Sequence, residues 1–419
     1  MSRVVFCSQN LGLPDDPRVW KEAVTLAGAG HTVTAIGPAR ARSRRDVIDG
    51  VEILRYPEVP ALPGVLGQLT ETANALLWTA VLCVWLSVSR RERIDVLHAA
   101  NPPDTFFLVG LLLRPLGTRF VFDQHDACPE LLRSRSGSRP LQERLLRVFE
   151  RASYATAHLV IAPNSSYRHL ALDRGTVSAD AVVVVRSGPL EVTPPPHSVD
   201  DAAAPVVVSF GGMMGPQDGV DVLVDAAALV LSRRPGSIVV DLVGSGDEVD
   251  ALRSRAGALG VGASVRFTGW LDGAAYRERL SAASIAVSPD RDDTFTRLST
   301  MTKIGDYLAL GLPTVAADLP ENRVTAGEAA RYFAPGDASD LARALEELVD
   351  DPGLRRELRA RALERAPALT WKHGGERLVA AYKWLLEGGP PVAPDQIPTP
   401  ETDTETDEPK TDEREKTTR

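Results

Sequence analysis

Along most of the chain, short apolar runs alternate with longer stretches in which apolar residues return every three or four positions. The runs RVVFCS, TVTAIGP, DVLHAA, RFVFDQ, LVIAPN and VVVVRSG have strand length, and helical patterns such as DPRVWKEAVTLAGAG, closed by glycine, lie between them. Strands that are apolar throughout, separated by amphipathic helices, predict a mostly parallel sheet with helices on both faces. Near Pro189 the alternation stops, and EVTPPPHSVDDAAAP carries three consecutive prolines with no apolar period. It resumes with VVVSFGG, GSIVVDLVGSG, ASVRFTGW, ASIAVSP, LPTVAAD and AARYFA. The expected fold class is therefore α/β, with two doubly wound domains, 1–190 and 205–366, joined by a linker, 191–204, and facing across a cleft. TWKHGGERLVAAYKWLLEG predicts a last amphipathic helix within 367–388, and the Pro-, Thr-, Asp- and Glu-rich stretch 389–419 predicts a disordered acidic tail.

In such sheets ligands bind beyond the carboxyl ends of the strands, so each strand end is a candidate site. SFGGMMGPQDGVD follows one strand, and Gly211, Gly212 and Gly215 let backbone N–H groups approach a phosphate; a plain tight turn explains them equally well. Gly244 and Gly246 open a second glycine loop that lacks the third glycine of a dinucleotide fingerprint. Thr268, Gly269 and Trp270 follow another strand, where a base can lie or Trp270 can simply pack. STMTKIGDYLALGLPTVAAD places Ser299, Thr302, Lys303 and Asp306 on one helical stripe, with Met301, Ile304 and Leu308 opposite. Ser299 or Thr300 is expected to cap this helix, whose N-terminus with Lys303 suits a diphosphate, while Asp306 suits a ribose diol. Gly311 and Pro313 are its stop. An intrahelical Lys303–Asp306 ion pair is the plain alternative.

Charge and composition narrow the partners. The formal net charge is −9, of which the tail from Glu401 onward, with eight acidic and four basic residues, supplies −4. No basic stripe suggests nucleic acid. Cys7, Cys83 and Cys128 are far apart, so neither disulfides nor a cysteine metal site is expected, and a reduced, cytoplasmic setting follows. MSRVVFCSQN reads as a strand rather than a leader. No charge occurs between Glu71 and Arg90, around Trp78 and Trp85. The strand that follows makes this a buried helix of an αβ unit; a surface resting on a membrane at the cytoplasmic face is the alternative.

Taken in order, GPQDGVDVLVDAA, VRFTGW and STMTKIGDYLALGLPTVAAD, preceded by DPRVWKEA, FDQHDACPEL and VIAPNSS, resemble the retaining, metal-independent family-4 glycosyltransferases of the GT-B fold. The resemblance runs from Met1 to about Gly388 and implies two Rossmann-like domains. It further implies a nucleotide-diphosphate sugar held by the second domain, a hydroxyl acceptor held by the first, no cofactor or metal, and a last helix that crosses back. By position, Gly212, Met214 and Gly215 match the donor phosphate loop. Ser299, Thr300, Met301 and Lys303 match the segment facing the diphosphate and sugar, Asp306 the ribose carboxylate, and Trp270 the base site. His125, beside Asp126, matches a histidine near the transferred sugar. Gly244, Gly246, Thr268 and Arg297 complete the expected donor side, and Asp16, Arg18, Asn101 and Glu130 the expected acceptor side. A lipid-linked molecule or a small-molecule glycoside is the expected acceptor class.

Three positions depart from the family pattern: Met213 and Asp218 stand where an arginine and a lysine are usual, and Leu298 where a glutamate is usual. Lys303, Arg297 or Arg186 is then left to neutralise a leaving diphosphate. These departures keep open a non-catalytic sugar-nucleotide-binding or partner protein, and the scaffold keeps open a sugar-nucleotide epimerase. Asp290 to Asp292, DRD, resembles a metal–diphosphate motif of another fold, and His98 with His125 and Asp126 a metal phosphohydrolase set. Asp16 with Arg18 also reads as an ordinary N-cap and surface pair.

Overall fold

The computed structural model describes residues 1–395, apart from 41, 61, 92 and 196–204, together with 397. Two parallel-stranded sheets are covered by helices. The first sheet holds β1 (Arg3–Cys7), β2 (Thr32–Pro38), β3 (Arg45–Ile48), β4 (Val51–Tyr56), β5 (Val96–Ala100), β6 (Arg119–Asp123), β7 (Leu159–Ala162) and β8 (Val182–Val184), in the order β3-β4-β2-β1-β5-β6-β7-β8. The second holds β9 (Val206–Gly211), β10 (Ile238–Val243), β11 (Val265–Gly269), β12 (Ile285–Ser288), β13 (Thr314–Ala317) and β14 (Ala330–Phe333), in the order β11-β10-β9-β12-β13-β14. Only β3, which pairs antiparallel with β4, departs from the parallel pattern. In both sheets the strand order reverses at the first strand of the domain, which opens a crevice at the carboxyl ends.

The strands are buried on both sides because helices cover both faces. In the first domain one face packs the helix Gly64–Val88 and the helix Phe107–Leu113; the other packs the helix Pro17–Gly28 and the C-terminal helix Trp371–Glu387. Leu378, Ala381, Tyr382 and Leu385 of that last helix are buried among Val19, Leu26 and Val33, so the chain ends its fold in the domain where it began.

Two expectations are corrected here. Gly64–Val88 is not a buried helix: Ala75, Thr79, Cys83 and Leu86 face the sheet, while Leu77 is 62% and Val88 69% exposed. Nor is 389–395 loose. Asp395 accepts a 2.7 Å hydrogen bond from Arg186 Nε, Pro394 carbonyl accepts from Arg377, and Ile397 is buried beside Ile304 and Leu308. Residues 398–419 of the expected tail, and 196–204 of the linker, lie outside the described residues.

Candidate active site

The second-domain half of the site is built from stacked loops. Past β9, Gly212 N–H donates to Val243 carbonyl (2.9 Å) and Met214 N–H to Ser245 carbonyl (2.9 Å), while Gly244 N–H donates to Gly269 carbonyl (3.1 Å). A Cβ on Gly244 would stand 1.9 Å from Gly212 carbonyl oxygen, and one on Gly246 2.3 Å from that of Met214. These glycines are required by loop-on-loop contact. The expected phosphate-facing amides are spent: Gly211 N–H donates to Tyr307 Oη (2.8 Å), and Gly215 N–H to Asp218 Oδ2 (3.0 Å). Met213, by contrast, stands half-exposed at the tip.

Lys303 is buried under this loop rather than presented to a ligand. Its Nζ lies 2.7 Å from Asp290 Oδ1, 3.1 Å from Asp218 Oδ1 and 4.8 Å from the centre of the Phe210 ring. Burial disfavours its charge, yet the two carboxylates hold its pKa above the usual lysine value. The expected diphosphate-facing ammonium and its plain alternative, an ion pair with Asp306, are both absent because Asp290 and Asp218, the latter in place of a cation, have captured it.

The helix itself spans Thr302–Ala309 with Met301 at its N-cap and no side-chain cap. Neither expected cap fits, because both hydroxyls are held by other groups. Ser299 Oγ donates to Phe295 carbonyl (2.8 Å) and lies 3.1 Å from Tyr167 Oη of the first domain. Thr300 Oγ1 accepts from Asn164 Nδ2 (2.9 Å) and donates to Glu321 Oε2 (3.3 Å). Leu298, whose carbonyl also accepts from Asn164 (2.8 Å), packs against the first-domain core. Leu298 to Thr300 is therefore a latch between domains, and the departure at 298 fits an apolar socket. Gly311, at φ +63, ends the helix as expected of glycine.

Asp306 is half-buried, and its carboxylate accepts no hydrogen bond among the described residues. Burial pushes its pKa up to about 6, against the attraction of Lys21 and Arg277. Lys21 comes from the first domain and donates to Gly188 carbonyl (2.7 Å) and Ser187 Oγ (3.1 Å); burial lowers its pKa to about 8, and Asp306 opposes that fall. Trp270 is 68% exposed past β11. Thr268 Oγ1 donates to Gly269 carbonyl (2.9 Å), and Arg297 is exposed and forks onto Asp292 (3.0 and 3.1 Å), so neither is aimed at a ligand.

The first-domain half hangs from β6. Asn101, expected on the acceptor side, is buried and shapes the turn instead. Its Oδ1 accepts from the N–H groups of His125 (2.6 Å) and Asp126 (3.1 Å), and its Nδ2 donates to Asp126 carbonyl (2.8 Å). His125 Nε2 bonds Asp123. Burial lowers the His125 pKa, and the stronger pull of Asp123 leaves it raised. His125 and Asp126 are half-buried.

Behind His125 lies a fully buried charge cluster. Arg18 donates to Asp123 Oδ1 (2.8 Å) and Val185 carbonyl (2.9 Å) and approaches Glu22 at 3.3 Å. His98 Nε2 faces Glu22 (3.3 Å) and Asp123 (3.5 Å), while its Nδ1 shares a 2.7 Å hydrogen bond with Tyr382 Oη of the returning helix. Despite burial, Arg18 and His125 hold the Asp123 carboxyl well below the carboxylate range. Arg18 is thus a structural cation, not an acceptor ligand. Asp16 caps its helix by accepting from Arg18 and Val19 N–H (3.2 and 3.1 Å), and Glu130 is buried against Arg174 (2.7 Å) and Arg147 (3.3 Å). Glu22, His98 and Asp123 could by spacing hold a metal ion, but the Arg18 guanidinium already bridges the two carboxylates. Glu22, one helical turn past Arg18, and Asp123, at a strand end, were findable from spacing; Lys21, Asn164, Tyr167 and Tyr382 act across long sequence distances that no local pattern shows.

Residues 16–188 match the family model described as glycosyl transferase 4-like domain, and 204–351 match glycosyl transferases group 1. Sucrose-phosphate synthase from Thermosynechococcus elongatus superposes over 93% of this chain and all of its own (TM-score 0.75, 19% identity). The fold is that of the GT-B glycosyltransferases. Another GT-B neighbour, Anabaena HepE in complex with UDP-glucose, superposes over 91% of this chain and all of its own (TM-score 0.69, 15% identity). Among curated relatives, D-inositol 3-phosphate glycosyltransferase 1 of Catenulispora acidiphila is 32% identical over 44% of this chain and 45% of its own. The lipopolysaccharide core biosynthesis glycosyltransferase LpsE of Rhizobium meliloti is 33% identical over 45% of this chain and 52% of its own. The chain spans about half the length of the curated relatives it matches. Its two halves carry the domain pair of a glycosyltransferase.

Proposed function

We propose that this protein transfers a glycosyl group from a nucleotide-diphosphate sugar to a hydroxyl acceptor, with retention at the anomeric carbon and without a metal. The observation that carries the reading is the half-buried Asp306 carboxylate, held without a hydrogen bond among the described residues in the second turn of the helix Thr302–Ala309 and near Lys21 of the first domain. An ionisable group kept at that cost in a cleft marks a binding position, here for a ribose diol. The open amides of the first turn, Thr302 and Lys303, and the accessible Met213 loop supply the diphosphate end. UDP-glucose bound by HepE supports a nucleotide sugar as the donor class.

In the reaction the bond between C1 and the phosphate oxygen breaks, a bond from C1 to the acceptor oxygen forms, and the acceptor proton passes to the departing phosphate. Dipoles aimed at that phosphate stabilise its growing charge. His125, whose Nε2 bonds Asp123, turns its other ring nitrogen to a hydroxyl of the sugar, and Asp126 accepts from a neighbouring hydroxyl of the acceptor, not the one that reacts. In the acid pairs Glu22–Asp123 and Asp218–Asp290 the bridging cation is a side chain, which favours metal independence. The non-catalytic alternative keeps one specific support, the neutralisation of Lys303 by two acids.

Thermal-shift titration with a panel of nucleoside diphosphates identifies the base. Nucleotide release from the matching sugar nucleotide, unchanged by EDTA, is the expected result, and Asp306→Asn weakens the diphosphate shift at least tenfold. Binding with no release, with or without acceptor, establishes the non-catalytic reading instead.

A further inference from the structure

Most of the large apolar side chains exposed among the described residues stand on three neighbouring helices of the first domain: Gly64–Val88, Phe107–Leu113 with its continuation to Leu116, and Pro140–Thr156. Their inner sides share one core under the sheet, through Cys83, Val109 and Tyr154. Their outer sides present Leu69, Leu77, Val84, Leu112, Leu145 and Val148. A half-exposed side chain of this size offers on the order of 50 Å² or more, so the face exceeds the ~300–600 Å² of the largest patch on a typical monomer.

Charge selects the occupant. The protein is acidic overall, at −9, yet the outward charges of this face are nearly all arginine. On Pro140–Thr156 the two acids, Glu143 and Glu150, are buried and paired with Arg133 and Arg174, whereas Arg144 and Arg151 are exposed. Arg114 is the charge of the middle helix and is exposed, and Glu71 is the one acid of Gly64–Val88. An apolar plateau fringed by arginine suits the interface of an anionic bilayer.

Gly64–Val88 has the length and composition of a spanning helix. It cannot cross, because Ala75, Thr79, Cys83 and Leu86 lie on the sheet and its two ends feed β4 and β5 of that same sheet. With 25 residues it is about 37 Å long, against about 20 Å for its strands. Its first turns, with Val65, Leu66 and Leu69 exposed, extend past the end of β4, the side that carries the cleft.

We infer that this three-helix face seats the first domain in the interface of an anionic lipid bilayer and turns the cleft toward lipid-borne hydroxyl acceptors. The acceptor clause rests on the transfer reading above; the lipid contact stands without it.

Full-length protein is sedimented with vesicles of phosphatidylglycerol and phosphatidylcholine, and with phosphatidylcholine alone, without nucleotide. Co-sedimentation with the anionic vesicles is expected, weakened by salt. The triple variant Leu69→Glu/Leu112→Glu/Leu145→Glu, altered only at exposed positions, should lose at least tenfold in vesicle affinity with its melting temperature and nucleoside diphosphate binding unchanged. Arg144→Glu/Arg151→Glu should lose about fivefold or more per charge, for anionic vesicles only. Wild-type protein left in the supernatant overturns the inference. So does a soluble dimer that the triple variant dissolves while vesicle binding stays the same. Nucleotide binding without vesicle binding defeats the lipid contact alone; vesicle binding without nucleotide binding defeats the transfer reading alone.

Discussion

Lys303 and Asp306 sit one turn apart on one helix and serve different ends. Lys303 joins two buried carboxylates, and removing one partner of such a group strands the others. Lys303→Met should cost about 3 kcal/mol in urea unfolding, and Asp290→Asn in the same chain should recover part of it. Additive losses from the two changes would show that the pair is not coupled. Lys303→Ala therefore fails as a clean probe of diphosphate binding, because it also releases the loop. Asp306 gives a pH signature instead. Its folded pKa of about 6 lies above the unfolded carboxylate value, so the native state holds the extra proton in between, and stability falls as pH rises from about 4 through 6. Asp306→Asn should remove that fall, leaving the unliganded variant about 1–2 kcal/mol more stable at pH 7 after allowance for solvent screening. Identical pH profiles for the two proteins would place the carboxylate in free solvent. The residue types at this helix were legible in the sequence. The partner of the ammonium was not, since Asp218 and Asp290 reach it through loop folding.

At the scale of elements, nearly every strand was visible as an apolar run, because a strand buried on both faces must be apolar throughout. The exceptions are instructive. β3, RDVI, alternates charged and apolar residues at an exposed edge and makes no such run, and β4, VEILRY, was missed as well because Glu52 and Arg55 interrupt it although the strand is buried. The expected helix start at Ser299–Thr300 fell on residues whose hydroxyls serve the other domain, and a latch between distant segments leaves no local period. Leu298 shows what that latch demands. Leu298→Glu, which would restore the family's usual residue, should place a carboxylate in an apolar socket of the first domain and cost about 1–3 kcal/mol. Small-angle scattering should then show a more open molecule. A variant as compact and as active as the parent would mean the socket admits water.

For the molecule as a whole, the two domains were legible but their ties were not. The chain was expected to end its structure at Gly388, yet Asp395 pairs with Arg186 and Ile397 is buried against the helix of Lys303. Ending the chain after residue 397 should leave the melting temperature unchanged. Ending it after residue 388 should lower it by about 2 °C or more, since burying one such side chain contributes about 1.5–3 kcal/mol. Equal melting temperatures would show the segment to be dispensable. The helix Trp371–Glu387 has a different consequence. It brings Tyr382 to His98, so one wall of the first domain is encoded last. During synthesis the early sheet must wait, with the pocket of Val19 and Leu26 open to water, while the entire second domain is made. Maturation of the His125 side thus belongs to the final moments after release from the ribosome, and a nascent chain halted in the second domain would still lack it.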